Sequence, residues 1–193
     1  MQAGLLAVYS LELALTTALA ALSARAALWL TSRTIRLLAA SFVLLAFSSA
    51  LKLAWGLLGA DLALALSSAC MATSFLALAV SHAYSVSQRP PLQYAFLALL
   101  PAPIFAAYTL ARGVSLYLVL YAAVETTIFY AENRYWVAAL SAAGLYAIFA
   151  SLTMGFTQFG ISNYLITEIV QVAGYALLLA SGVYSFRGSG GGG

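Results

Sequence analysis

Charge is what this chain has least of: five acidic and eight basic side chains in 193 residues, or 7%, beside 64% hydrophobic residues. A soluble domain carries roughly 25% charged residues, so no water-facing fold could hide this much apolar surface. The other scarcities exclude functions one at a time. A single cysteine, Cys70, rules out an intrachain disulfide and a cysteine-based metal site, and it reads as a small, inert packing residue. A single histidine, His82, rules out paired axial haem ligation, and zinc would need acidic partners that do not lie nearby in sequence. His82 therefore reads as an interfacial residue, and no cofactor is expected. There is no His-Glu-x-x-His, no Gly-x-Ser-x-Gly and no phosphate-binding glycine loop, so no enzymatic activity is expected either. The basic residues are scattered over the loops and form no cluster that would track phosphates, which leaves nucleic acid out as a partner despite a net charge of +3.

What the chain does have is long apolar runs. A bilayer-spanning helix needs about 20 predominantly apolar residues. Seven such segments are predicted, at 4–24, 37–59, 62–86, 92–111, 114–131, 136–156 and 161–186, separated by charge, proline and glycine. The expected fold is thus all-α, a polytopic bundle of seven transmembrane helices in one domain over residues 1–187. The lipid bilayer is its first partner. The first segment has the length of a span, and Met1 to Gly4 lacks the basic residues of a signal peptide, so it is read as a retained helix. Residues 188–193, Gly-Ser followed by four glycines, read as a flexible linker of the kind added in cloning and are set apart from the fold.

Basic residues are retained on the cytoplasmic side of a membrane. With the N-terminus outside, Arg25, Arg33, Arg36, Arg89, Arg134 and Arg187 fall inside and only Lys52 and Arg112 outside. The expected location is a cell membrane, multi-pass, with the C-terminus cytoplasmic. Tyr9, Trp55, Tyr94, Tyr117, Tyr135 and Trp136, near span ends, suit interfacial belts.

An internal repeat is also suggested. At an offset of 100 residues, Leu78, Ser81, Tyr84 and Ser85 match Leu178, Ser181, Tyr184 and Ser185; Ala46 to Ser49 is related to Ile148 to Ser151, and Thr16-Thr17 parallels Thr126-Thr127. The implied plan is three spans, a linker span and three spans, with both halves in the same orientation. That plan resembles the arrangement of the SWEET and PQ-loop families and, more loosely, of the seven-helix opsins. The resemblance is architectural: the Pro-Gln pair of the PQ-loop proteins is missing, and the only lysine lies in the second span instead of the seventh.

Ionisable groups within hydrocarbon cost several kcal/mol unless paired or wetted, so each such residue is a candidate site. At about 1.5 Å per residue, Glu12, Lys52 and Glu168 lie about 10 to 12 Å from the outer ends of their helices, and Glu125 about 17 Å. Lys52 either pairs with Glu12 or Glu168 or, more commonly for a lysine so placed, snorkels to the interface. Glu125, nearest the midplane, is the expected protonatable carboxylate. Tyr164, Thr167, Glu168 and Gln171 share one helical face, and Ser67, Ser68, Cys70, Thr73 and Ser74 form a milder stripe in the third span. Such stripes line a path for solute or serve as close-packing faces. Pro101-Ala102-Pro103 would kink the fourth span.

The functional expectation is a small secondary transporter or facilitator for a polar solute, proton-coupled through a buried carboxylate, with Glu12, Lys52, Glu125, Glu168 and Gln171 as candidate binding residues. Two alternatives are a seven-helix sensor signalling to a cytoplasmic partner and a structural subunit, homo-oligomeric or bound to another membrane protein.

Overall fold

The computed structural model describes residues 2–87, 104–157 and 161–189, with side chains described for 3–82, 113–155 and 164–186. Those residues are all helical apart from short links. Six helices follow in order: α1 (Gln2–Trp29), α2 (Arg33–Leu58), α3 (Asp61–Ser87), α4 (Ile104–Asn133), α5 (Trp136–Thr157) and α6 (Ile161–Ser189). Each is long and apolar enough to cross a bilayer. Their surfaces confirm the environment, since large apolar side chains such as Phe47, Leu57, Leu58, Ile166 and Ile169 face outward while serines, threonines and charges are buried. This inversion suits a lipid surround. The chain is a multi-pass membrane protein.

Helix ends follow local chemistry. Gly59 ends α2 in the left-handed conformation (φ 66°), and its N–H bonds the Trp55 carbonyl at 2.8 Å, a cap that other residues adopt at a cost. Three boundaries differ from those expected. No break occurs at Arg112-Gly113: α4 continues through both residues. Arginine is a good helix former, and one glycine costs only about 1 kcal/mol in a helix interior, so the pair does not suffice to stop a helix. The first break is narrower than Arg25 to Arg36, because α1 runs to Trp29 and only residues 30–32 leave the helix. At the other end α6 extends to Ser189, two residues into the expected linker. Pro101-Ala102-Pro103 and Tyr94 lie outside the described residues.

The described helices form a closed ring in which each packs on its chain neighbours and α6 returns to α1. Side-chain pairs fix the directions. Tyr9 meets Tyr164 and Leu22 meets Gly182, so α1 and α6 run the same way. α2 and α3 are antiparallel and joined at seven-residue intervals. Ser81 donates to the Thr34 carbonyl at 3.0 Å, Ser74 to the Ser41 carbonyl at 2.8 Å, and Ser48 and Ser67 each to the other's carbonyl at 2.8 Å. α5 uses the same spacing against α6: Ser181 donates to the Val137 carbonyl at 3.1 Å, Gly144 lies backbone to backbone on Gly174, and Ser151 donates to Gln171, three residues before Gly174, at 3.4 Å. A β-carbon on Gly174 would stand 2.8 Å from the Gly144 carbonyl oxygen, which explains glycine at this crossing. Small residues let membrane helices approach this closely, and a hydroxyl that bonds across the interface adds to the contact. With α4 and α5 a hairpin linked by Arg134-Tyr135, α3 and α4 point in the same direction. Inside the ring, Leu45, Phe75, Val119, Leu145, Ile148, Leu152 and Tyr175 form a packed apolar layer.

Candidate functional site

Three of the four ionisable residues expected inside the membrane meet at one point. Glu12 on α1, Lys52 on α2 and Glu168 on α6 are all buried, at 2%, 8% and 1% exposure. Lys52 Nζ donates to Glu12 Oε2 at 3.0 Å and also to Glu168 Oε2. The lysine therefore does not snorkel: two carboxylates hold it inside. The pairing follows from helix placement, since α2 lies beside α1 and α6 returns to α1, so residues at matching height on these three helices converge.

A shell of polar groups surrounds the trio. Ser49 donates to Glu12 Oε1 at 3.2 Å. Tyr9 sits below the ammonium, its ring centre 5.3 Å from Nζ, and its hydroxyl donates to the Tyr164 hydroxyl at 3.1 Å. Tyr9 is fully buried and does not join the interfacial belt; the close approach of Gly56, where a β-carbon would lie 3.2 Å from the Tyr9 ring, makes room for it. Tyr117, Tyr135 and Trp136 are exposed, as a belt requires. Gln171, one turn beyond Glu168, donates to the Tyr175 hydroxyl at 2.7 Å and accepts from Ser151. Beside the trio is a cavity of about 20 Å³, lined by residues that include Ser48, Ser67, Ser68 and Tyr164. It has room for one water molecule.

The charge count decides what this arrangement can do chemically. Two carboxylates and one ammonium leave one negative charge on side chains that are all buried. Burying a net charge is strongly unfavourable. Uptake of one proton, or of one monovalent cation, makes the site neutral. The same site explains the helical face read from the sequence: Thr167, Glu168 and Gln171 are buried together. In the third span Ser67, Ser68 and Ser74 are buried, whereas Thr73 is exposed and bonds its own helix.

Glu125 stands apart. It is half-buried on α4 and does not line the cavity beside the trio. His82 is half-buried near the end of α3, with Nδ1 2.9 Å from the Leu78 carbonyl. Among the described residues no group of three or more histidine, cysteine, aspartate and glutamate side chains is placed to hold a metal ion. The sequence does not single out Tyr9 and Ser49 as neighbours of the charges, nor Tyr175 as the partner of Gln171. The i, i+4 spacing of Gln171 and Tyr175 was a usable signal for the last of them. No known protein family, curated protein or solved structure matches the chain.

Proposed function

We propose that this protein is a non-enzymatic, proton-coupled secondary transporter or facilitator in a cell membrane, with Glu12, Lys52 and Glu168 as its proton site. The observation that carries the reading is the buried trio with one carboxylate in excess. A purely structural ion pair needs one carboxylate per lysine. A second one, buried at the same lysine, sets up exchange between a charged and a neutral state, which is what coupling requires. In this proposal Gln171 and Tyr175 relay contact from the trio toward the centre of the ring, and Glu125 has no part in proton binding.

A seventh crossing belongs to the same proposal. α3 and α4 run the same way, which supports a return crossing between them within residues 88–103, since α4 takes up residues 104–111 of the expected span 92–111. Orientation rests on Arg25, Arg33, Arg36 and Arg134, all exposed at the end of the bundle opposite Gly59. That end is assigned to the cytoplasm, with the N-terminus outside. The 3+1+3 parallel repeat is supported by matching contacts: Ser81 on Thr34 corresponds to Ser181 on Val137, and Ser74 on Ser41 to Gly174 on Gly144. This register pairs Ser48 with Ser151, one residue away from the pairing that sequence similarity favours. The halves differ at the site, since Ser68 stands where the second half has Glu168. Two like-oriented halves around an off-centre charge site form a suitable frame for alternating access.

The test uses proteoliposomes with a pH-sensitive dye inside. Solutes are presented one at a time, as sugars, amino acids, alcohols and small aromatics. At least one should change the lumenal pH with the wild-type protein and fail to do so with Glu12→Gln or Glu168→Gln. Equal responses from wild type and both variants would remove the trio from the mechanism.

A further inference from the structure

A second cavity, of about 300 Å³, lies inside the ring on the side of the packed layer away from the charges. Binding clefts for small molecules start at about this size. α1, α2, α3, α5 and α6 all contribute to its wall, which is mostly Leu, Ile, Phe and Ala and includes Leu38, Phe42 and Leu145. No lysine, arginine, aspartate or glutamate lines it. Its rim at Ser185 and Phe186 is exposed.

Apart from Ser185 at the exposed rim, the few polar side chains on the wall share a chemical sense. Ser23 donates to the Leu19 carbonyl at 2.8 Å, Ser181 donates to Val137, and Ser141 therefore donates to the Ser181 oxygen. His82 Nδ1 faces the Leu78 carbonyl and must carry the ring proton there, which makes Nε2 an acceptor in the neutral ring. With the hydrogens of these groups committed, they offer lone pairs to a guest. An anion finds no cation and no spare donor among them, and a sugar would leave most of its hydroxyls facing hydrocarbon, at a cost of about 1–3 kcal/mol for each group left unpaired.

We propose that this cavity binds a small, uncharged, largely apolar molecule bearing one hydroxyl or N–H donor, of the chemical class of phenols and short alcohols. The inference deepens the transport reading and rests on it in one respect: such a molecule is the solute whose movement the trio couples to protons. It also replaces the polar solute expected from the sequence.

Equilibrium dialysis of labelled phenol against the full chain in nanodiscs tests the proposal, with toluene, glucose and benzoate for comparison. The wild type should hold one saturable phenol per chain, undisplaced by glucose or benzoate. Ala26→Phe and Leu38→Trp, which fill the cavity from two different helices, should each abolish it, so a folding failure in one leaves the other to decide. His82→Leu should weaken phenol about tenfold, the value of one hydrogen bond, and leave toluene unchanged. The proposal is overturned if the wild type shows no saturable component, if both filled variants bind as it does, or if benzoate displaces phenol. It is equally overturned if native mass spectrometry finds one tightly held lipid per chain that the filled variants lose. Phenol binding without phenol-driven acidification of liposomes would support the cavity and reject the coupling. Acidification driven by glucose with no phenol binding would do the reverse.

Discussion

Lys52 holds two carboxylates in a place where neither would be stable alone, so its removal should be the most damaging change at the site. Lys52→Met leaves two buried, uncompensated carboxylates, and breaking a buried pair in this way costs about 3–5 kcal/mol. Thermal unfolding in mild detergent should show that loss, and a midpoint within experimental error of wild type would contradict the ion-pair geometry. Glu12→Gln should behave oppositely. It leaves Lys52 and Glu168 as a balanced pair, so the fold persists while proton uptake disappears. Glu125→Gln should leave proton-coupled uptake unchanged in the same liposome assay; abolished uptake would return the proton site to Glu125. The common depth of Glu12, Lys52 and Glu168 could be read from the sequence by counting residues along each helix. Their meeting could not, because it depends on how each helix is rotated about its axis. Tyr9 departs from the interfacial belt for a related reason: tyrosines near span ends usually sit at the interface, and only the packing of Gly56 and Tyr164 shows that this one turns inward.

At the scale of helices, contacts between small residues set the spacing. Gly174→Ala would put a β-carbon 2.7 Å from Ile148 and 2.8 Å from the Gly144 carbonyl oxygen, so α5 and α6 must separate. The expected loss is about 1–3 kcal/mol. Gly113→Ala meets nothing within 4 Å and should instead stabilise α4 by up to about 1 kcal/mol. The two variants measured side by side by thermal unfolding should move in opposite directions, and a shift in the same direction would count against the helix crossing described for α5 and α6. Apolar run length and punctuation locate the six described helices, though not the start of α4, which takes in residues 104–111 of the span expected at 92–111; Gly59 marks its boundary well. Arg112-Gly113 misled because both residue types also mark loops, and neither ends a helix when the surrounding turns remain bonded. The seven-residue interval linking Thr34, Ser41 and Ser48, and again Ser67, Ser74 and Ser81, was present in the sequence. Its meaning appears only when α2 and α3 are laid side by side, where the hydroxyls of Ser48, Ser67, Ser74 and Ser81 each find a carbonyl on the other helix.

For the whole molecule, ring closure decides what can interact. α1 and α6 lie at opposite ends of the chain, yet they share the charge site because the ring closes between them. No local pattern encodes such a contact. The ring also separates two compartments, a small charged pocket near Gly59 and a larger apolar cavity near the arginine-bearing end, with Leu45, Phe75, Ile148 and Tyr175 between them. A transporter moving between two states would have to open that layer. The parallel course of α1 and α6 supports the proposed odd number of crossings. Tags at the two termini, probed in sealed cells, should be reached from opposite sides, and access to both from one side would remove the seventh span.

The claim on which the rest depends is that the Glu12–Lys52–Glu168 site takes up a single proton. Infrared difference spectroscopy of the reconstituted protein across a pH step reads it directly. One carboxyl should gain and lose the carbonyl band of a protonated acid, and either Glu12→Gln or Glu168→Gln should abolish the signal while Glu125→Gln leaves it intact. A spectrum without that band, or one that persists in both Glu12→Gln and Glu168→Gln, would contradict the account.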